Sequence, residues 1–252
     1  MKISIIVPCF NSEKTILSNL SSISSQDYKN YEVIIVDNVS NDQTINLVKK
    51  FNFKNLKIIS EKDNGIYDAF NKGISASTGE VISHLNSDDF YCHSFVLRKV
   101  IESFSENIDA VYGNLIYVKE NNIKKKTRYW KSSDFEKGSF FKGWSPPHPG
   151  FFFKKYLFEK YGKYNLDLGI PADIVFMYNL LERKKIKSKY ININLVIMRE
   201  GGRSNQSLKQ IILQNKTLLR SFGIINNPLK IIIFLFFKFL NRSKQIIIGK
   251  FI

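Results

Sequence analysis

The sequence predicts an α/β fold, a mixed and mostly parallel sheet flanked by helices. Two observations carry this. Short runs rich in Val and Ile recur through the first half of the chain, each followed by a stretch whose apolar positions have helical spacing. The runs are apolar almost throughout rather than alternating, as in strands covered on both faces. At 252 residues and 44% hydrophobic content the chain can bury one large core, with or without appendages. No internal repeat is evident.

"ISIIV" (3–7) reads as the first strand. Pro8 and the polar "NSEK" behind it leave the apolar stretch too short for a signal peptide. A helix follows from about Ser12 to Ser24. "EVIIVD" (32–37) is the second strand, and Ser40 with Gln43 has the S-x-x-Q spacing of a capping box opening a helix to about Phe51. "LKIIS" (56–60) is the third strand, and Gly65 to Ser77 reads as helical. "EVISHL" (80–85) and "IDAVYG" (108–113) are the fourth and fifth strands.

The second half is less regular. "GNLIYV" (113–118) has strand character, and "NNIKKK" (121–126) reads as a basic, solvated turn. "GWSPPHPGFFFKKYLFEKYG" (143–162) takes a Pro-rich loop into an aromatic strand and a short helix. "IPADIVFMYNLLERKK" (170–185) is a helix with Pro171 suited to its first turn, and "KYININLVIM" (189–198) is a strand. "REGGRSNQ" (199–206) is a Gly-rich loop before a basic helix to about Phe222, and a tail begins at Pro228.

The net charge of +16 is unevenly placed. Residues 201–252 hold nine of the 38 Lys and Arg and none of the 22 Asp and Glu. These cations flank the apolar run 231–240 rather than covering a folded face with interleaved aromatics, which favours an anionic membrane surface over nucleic acid. As a helix, 231–240 is about 15 Å long, about half of a ~30 Å hydrocarbon core. It is expected to lie in the interface with Lys230, Lys238, Arg242 and Lys244 toward headgroups; the alternative is packing on the catalytic domain or a partner. The two cysteines, Cys9 and Cys92, lack metal-ligand spacing and fit a reduced, cytoplasmic compartment.

The chemistry gathers at strand ends. Asp37 ends the second strand, and Asp88 and Asp89 follow the fourth in "HLNSDDFY". Right-handed crossovers bring the carboxyl ends of parallel strands to one sheet edge, so these three carboxylates are expected to line one crevice. Their oxygens suit a hard divalent cation, Mn2+ or Mg2+, shared with a diphosphate. No G-x-G-x-x-G or P-loop pattern occurs, so neither a nicotinamide site nor an NTPase phosphate cradle is indicated. His84 and His93 read as structural, and Tyr67 and Phe70 as core.

"SIIVPCFNSEKTILSNLSSISSQDYKNYEVIIVDNVSNDQT" together with "EKDNGIYDAFNKGISASTGEVISHLNSDD" resembles the family 2 inverting glycosyltransferases of the GT-A fold. "SPPHPGFFFKKYLFEKYGKYN", "IPADIVFMYNLL" and "VIMREGGRSN" are similar to the subgroup that builds bacterial polysaccharide and lipopolysaccharide. The resemblance covers roughly residues 2–206, in order. It implies a single catalytic domain over 1–222, with a nucleotide-sugar half (1–112), an acceptor half (113–222) and a basic apolar tail (223–252).

The resemblance also implies roles. Pro8 and Asp37 match positions that hold the nucleotide base. Asp63 and Gly65 match a segment lying against the nucleotide, supported by Asn71 and Lys72. "NSDD" matches the D-x-D motif, with Asn86 in place of its first acid and Asp88 and Asp89 as the metal ligands, either of which can take the ion. Asp173 matches the catalytic base, and His148 and Arg203 match segments closing over donor or acceptor. Asn38 stands where the first motif usually has a second Asp, and Val39 where it has a glycine. The macrodipole at the helix onset is expected to lower the Asp173 pKa, and burial to raise it.

The expected activity is metal-dependent transfer of a sugar from a nucleoside-diphosphate sugar to a hydroxyl of a saccharide or lipid-linked saccharide, with inversion, on the cytoplasmic face of the membrane. Two rivals are a catalytically silent subunit, which predicts a missing base or metal acid, and a sugar-nucleotide nucleotidylyltransferase. The latter wants a Gly-rich, Arg- and Lys-bearing loop after the first strand, which "PCFNSEKT" does not supply.

Overall fold

The computed structural model describes residues 1–201 and 207–251. Its first half runs β1 (Ile3–Cys9), α1 (Ile16–Ser24), β2 (Tyr31–Asp37), α2 (Thr44–Lys50), β3 (Leu56–Ser60), α3 (Ile66–Ser75), β4 (Val81–His84), β5 (Phe90–Tyr91) and α4 (Val96–Ser103). The second half runs β6 (Ala110–Lys119), β7 (Asn122–Trp130), β8 (Phe151–Lys154), α5 (Tyr156–Tyr161), α6 (Ala172–Tyr178), β9 (Ser188–Arg199), α7 (Leu208–Ser221) and α8 (Pro228–Gly249).

One mixed sheet orders these strands β3-β2-β1-β4-β8-β6-β9-β5, with β7 beside β6. The β3-β2-β1-β4 part is parallel, and so is β6 with β9; the remaining pairs are antiparallel. Both faces of β1 are buried, which is why its sequence is apolar without alternation. Ile3, Ile5 and Val7 point into a layer with α1 and α4, while Ile6 joins α3 and α6 on the other face. Helix α3 lies close on β1, because a side chain at Gly73 would come within 2.3 Å of Ile6.

Three local expectations need correction. Ser40 and Gln43 form no capping box; the Ser40 amide and hydroxyl bond Asp37, and the Thr44 amide at the start of α2 bonds Asp42 instead. "NNIKKK" is the start of β7 rather than a turn, and its lysines are exposed along a strand that, among the described residues, pairs only with β6. Charged side chains on an edge strand oppose pairing with other chains. The tail helix is 22 residues long, not ten, and Phe234 is 2% exposed within the second core layer. No helix among the described residues is long and apolar enough to cross a membrane.

Candidate active site

The ends of β1, β2 and β3 stand in register, pairing Cys9 with Asp37 and Asp37 with Ser60. Asp37 is 1% exposed, and its carboxylate accepts from the Ser60 hydroxyl at 2.6 Å and from the amide and hydroxyl of Ser40. The Cys9 thiol is 3.7 Å away and is pushed up by burial and by Asp37, so it is inert as a nucleophile. Pro8 sits beside it at the end of β1. Asn38, which replaces an acid, accepts from the Asp63 amide at 2.9 Å, and Asp63 accepts from the Gly65 amide at 2.8 Å. The Asp37 and Asp63 segments are thereby tied edge to edge, with Gly65 at φ +108° starting α3. Lys72 pairs with Glu61 at 3.0 Å and Asp68 at 3.5 Å.

After β4 the chain turns through Asn86 to Asp89. Asn86 donates to Asp89 Oδ2 at 2.9 Å, and the Asn19 amide in α1 bonds the carbonyls of Asn86 and Asp89 at 2.8 and 2.9 Å. Arg199, the last residue of β9, donates to the Asp88 carbonyl and to Ser18 Oγ, with its guanidinium over the Phe90 ring. Asn19 and Arg199 were not singled out in the sequence. Arg199 stands in the quoted "VIMREGGRSN", but only its bonds across the sheet distinguish it from a loop-flanking cation.

Asp89 is 0% exposed, and its Oδ1 is buried with no partner among the described residues. Burial and the neighbouring Asp88 push Asp89 well above the usual carboxylate range; burial also raises Asp88, against the pull of Arg199. Two carboxyls held at such cost, one with a free buried oxygen, fit a divalent cation. No group of three or more His, Cys, Asp or Glu converges among the described residues. A cation here would therefore draw the rest of its shell from water and substrate oxygens, as Mg2+ sites built on one or two carboxylates do.

Asp173 lies in the first turn of α6, its Oδ1 accepting from the Ile174 amide at 2.6 Å. Burial raises it to about 6, against that amide, the Tyr67 hydroxyl and Lys238 of α8, all of which favour the carboxylate. Burial thus outweighs the helix onset. Tyr67, read from the sequence as core, bonds the Ile170 carbonyl at 2.8 Å and flanks this carboxyl.

Two other candidates are committed elsewhere. Both ends of the Asn71 amide bond the Tyr164 backbone, at 2.9 Å each. His148 is buried, stacks on His84 with ring centroids 4.6 Å apart, and meets the Tyr164 hydroxyl at 3.0 Å. Burial lowers His148 to about 3, which keeps it neutral. Asn71 and His148 hold Tyr164 and the packing behind the cleft. Arg203 and most of its loop lie outside the described residues.

A parallel half with acids at its strand ends, an Asp–Asp turn after β4 and a high-pKa carboxyl beyond it define the class: a GT-A glycosyltransferase. The chain belongs to Glycosyl transferase family 2, whose profile matches residues 4–164. A PGL/p-HBAD biosynthesis glycosyltransferase of Mycobacterium bovis is 28% identical over 227 residues, covering 88% of this chain and 86% of the relative. The Escherichia coli UDP-Glc:alpha-D-GlcNAc-diphosphoundecaprenol beta-1,3-glucosyltransferase is 31% identical over 122 residues, 48% of each chain. Among solved structures, S. aureus TarS 1–349 with UDP-GlcNAc superposes at TM-score 0.71, with 21% identity over 95% of this chain and 73% of that one. A mannosyltransferase of Pyrobaculum calidifontis with GDP-Man and Mn2+ gives TM-score 0.65, with 19% identity over 95% and 69%.

Proposed function

We propose that this enzyme transfers a sugar, with inversion, from a nucleoside-diphosphate sugar to a hydroxyl of a saccharide or lipid-linked saccharide during bacterial surface polysaccharide synthesis. The observation that carries the reading is a set of three carboxyls that burial raises, two in the Asp88–Asp89 turn after β4 and one in the first turn of α6. Asp88 and Asp89 seek a cation, while Asp173 is held near pH 6, where it can accept a proton at physiological pH.

The roles follow the family resemblance, and the placement of the residues supports them. Pro8, Asp37, Asp63 and Gly65 form the nucleotide side of the cleft. Asp88, which is only half-buried, and Asp89 behind it would hold Mn2+ or Mg2+, which supplies Lewis-acid neutralisation of the departing diphosphate. Arg199 and Asn19 fix the backbone of that turn. Asp173 takes the proton from the acceptor hydroxyl as the hydroxyl attacks the anomeric carbon from the face opposite the diphosphate, which gives inversion. Tyr67 orients the Asp173 carboxyl. General-base assistance of this kind contributes about 10²–10⁴-fold.

Membrane contact fits the outer side of the last two helices. Leu208, Ile212 and Leu213 of α7 and Leu229, Ile232, Phe236 and Phe239 of α8 are all exposed. With the basic tail they suit peripheral attachment to the cytoplasmic leaflet. Lys230, Arg242 and Lys244 are exposed as this requires, although Arg242 also lines a cavity on the inner side of α8, where Lys238 is half-buried.

The test is a thermal-shift panel of nucleoside diphosphates with and without Mn2+. One nucleotide is expected to stabilise the protein only when metal is present. Equal stabilisation in chelator would remove the metal from the reading, and no response to any nucleotide would remove the donor.

A further inference from the structure

Helix α8 buries Phe234 and packs Ile231 on the core, yet much of its apolar surface faces outward. Leu229, Ile232, Phe236 and Phe239 are exposed, while Lys238, Asn241 and Gln245 share the inward side with Phe234. Gln245 accepts from Arg128 Nε at 2.6 Å, Lys238 bonds Asn215 of α7 at 2.6 Å, and Asn241 bonds the Lys142 carbonyl at 3.3 Å. A helix packed on a domain ordinarily turns its apolar stripe inward. The inward polar stripe therefore needs a reason.

The stripe encloses a cavity of about 100 Å³, between α8, the end of β7 and the turn at Ser139–Lys142. Its lining includes the cations Arg128, Lys238 and Arg242 and both tryptophans of the chain, Trp130 and Trp144. None of the three cations has a carboxylate within ion-pair distance among the described residues. Arg128 and Lys238 have neutral amide partners instead. Burial lowers both, Lys238 to about 8, and the Arg242 charge adds to the effect. Glu200 acts on Arg128 and Asp173 on Lys238 only from a distance. Arg128 also lies over the Tyr117 and Trp130 rings and Lys238 over Phe234, and Arg242 reaches solvent, but three cations around one cavity still repel one another, and an anion would relieve that repulsion. The volume equals roughly three waters' share of liquid, which is the scale of a phosphate group.

The position says whose anion it is. Ile174, adjacent to the base, lines the cavity, so it lies beside Asp173. Every lining residue comes from position 128 onward, in the part of the chain read as the acceptor half and the tail, and Tyr117, under the Arg128 guanidinium, is within electrostatic reach of both Asp173 and Asp89. The exposed apolar side of the same helix lies just outside, where a hydrocarbon chain attached to the anion would run.

We infer that this cavity is a phosphate subsite for the acceptor: Arg128, Lys238 and Arg242 bind the phosphate or diphosphate that joins the acceptor saccharide to its lipid. The identity of the acceptor rests on the transferase reading above; the existence of the anion site does not.

Two measurements on the full chain test it. Because both tryptophans line the cavity, intrinsic fluorescence reports on it directly. Inorganic pyrophosphate, with chelator present to exclude metal-bridged binding at Asp88, is expected to change the tryptophan emission saturably. Lys238→Gln with Arg242→Gln, checked for an unchanged circular dichroism spectrum, is expected to weaken that binding at least about tenfold, the loss of one or more charge-assisted hydrogen bonds. No saturable change in the wild type, or equal binding by the double variant, overturns the anion site whether or not sugar transfer is seen.

The second measurement compares an acceptor saccharide joined to a short alkyl chain through diphosphate with the same saccharide on the alkyl chain alone. The wild type is expected to favour the diphosphate acceptor by about tenfold or more in kcat/KM, and the double variant to lose that discrimination. Discrimination retained by the variant overturns the assignment to the acceptor, as does a tenfold rise in KM for the nucleotide sugar, which would give the cations to the donor. Pyrophosphate binding with no transfer to either acceptor from any nucleotide sugar would overturn the transferase reading and leave the anion site standing.

Discussion

Asn86 donates its side-chain amide to Oδ2 of Asp89 at 2.9 Å, while Oδ1 of Asp89 is buried with no partner among the described residues. An Asp at position 86 would put a second carboxylate against that oxygen, so the Asn that departs from the D-x-D pattern is what lets Asp89 pack here. Asp89→Asn removes the buried charge and the cation's claim on it together. It is expected to raise the melting temperature in chelator while abolishing the Mn2+-dependent part of the nucleotide-induced shift. A full-size Mn2+-dependent shift in this variant would leave Asp88 as the sole protein ligand.

Asp173 gives a pH prediction with a definite sign. A base must be ionised, so kcat/KM is expected to fall on the acid side as the pH drops through about 6. Stability runs the other way. Raised above its unfolded value, the carboxyl contributes stability fully present below about pH 4 and lost as the pH rises through about 6. Asp173→Asn is therefore expected to lower kcat about 10²–10⁴-fold, yet to gain about 1–2 kcal/mol at pH 8. A variant that loses activity and stability together would mark Asp173 as a structural acid.

Lys238 is electrostatically linked to that carboxyl from the far side of the cavity, each favouring the charged form of the other. Lys238→Met removes a charge that lowers the Asp173 pKa. The acid limb of the pH–rate profile is expected to move upward, so that activity at pH 6 suffers more than activity at pH 8. Equal loss at both pH values would mean that Lys238 acts through binding alone.

Val39 occupies the left-handed region at φ +55° and is 50% exposed. A β-branched residue there carries strain of about 1–2 kcal/mol. Glycine relieves it but costs about 0.5–1 kcal/mol in unfolded-state entropy. Val39→Gly is expected to stabilise the protein by about 0.5–1 kcal/mol, a rise of roughly 1–4 °C for a chain this size. A fall in melting temperature would show that the side chain makes contacts worth more than the strain.

The parallel strands were legible because an unbroken apolar run fixes a strand covered on both faces, and the crossover rule then fixes which edge its last residue reaches. The convergence expected of Asp37, Asp88 and Asp89 was not: among the described residues no three such acids group, and Asp37 turns to Ser40 and Ser60 instead. The role proposed for Asp173 comes from family resemblance alone, since a first-turn acid is ordinary. Ser40 misled because its hydroxyl has two possible partners, and Asp37, one β-turn upstream, outcompetes the helix amides. The lysines at 124–126 misled because an exposed edge strand and a solvated turn have the same composition. Lys238 was placed toward headgroups from charge alone. A helix with apolar residues and cations on several sides does not say which side meets the protein, and here Lys238 turns to the inner cavity, Arg242 lines it while staying exposed, and Leu229, Ile232, Phe236 and Phe239 face out.

That orientation also decides how the tail should be tested. Deleting everything after Phe222 would remove Phe234 from the core and open the cavity, so loss of membrane binding could follow from unfolding. Replacing Ile232, Phe236 and Phe239 with Gln touches only exposed side chains and leaves the Lys238, Asn241 and Gln245 contacts in place. Surface changes of this kind shift stability by about 0.5 kcal/mol or less. Burying a large apolar side chain contributes about 1.5–3 kcal/mol, so losing three should weaken a membrane contact by orders of magnitude. The variant is expected to keep its melting temperature and its activity on a water-soluble acceptor, and to stop co-sedimenting with vesicles containing phosphatidylglycerol. Undiminished co-sedimentation at physiological salt would assign the exposed face to a protein partner and leave the attachment, if any, to Lys230 and Lys244.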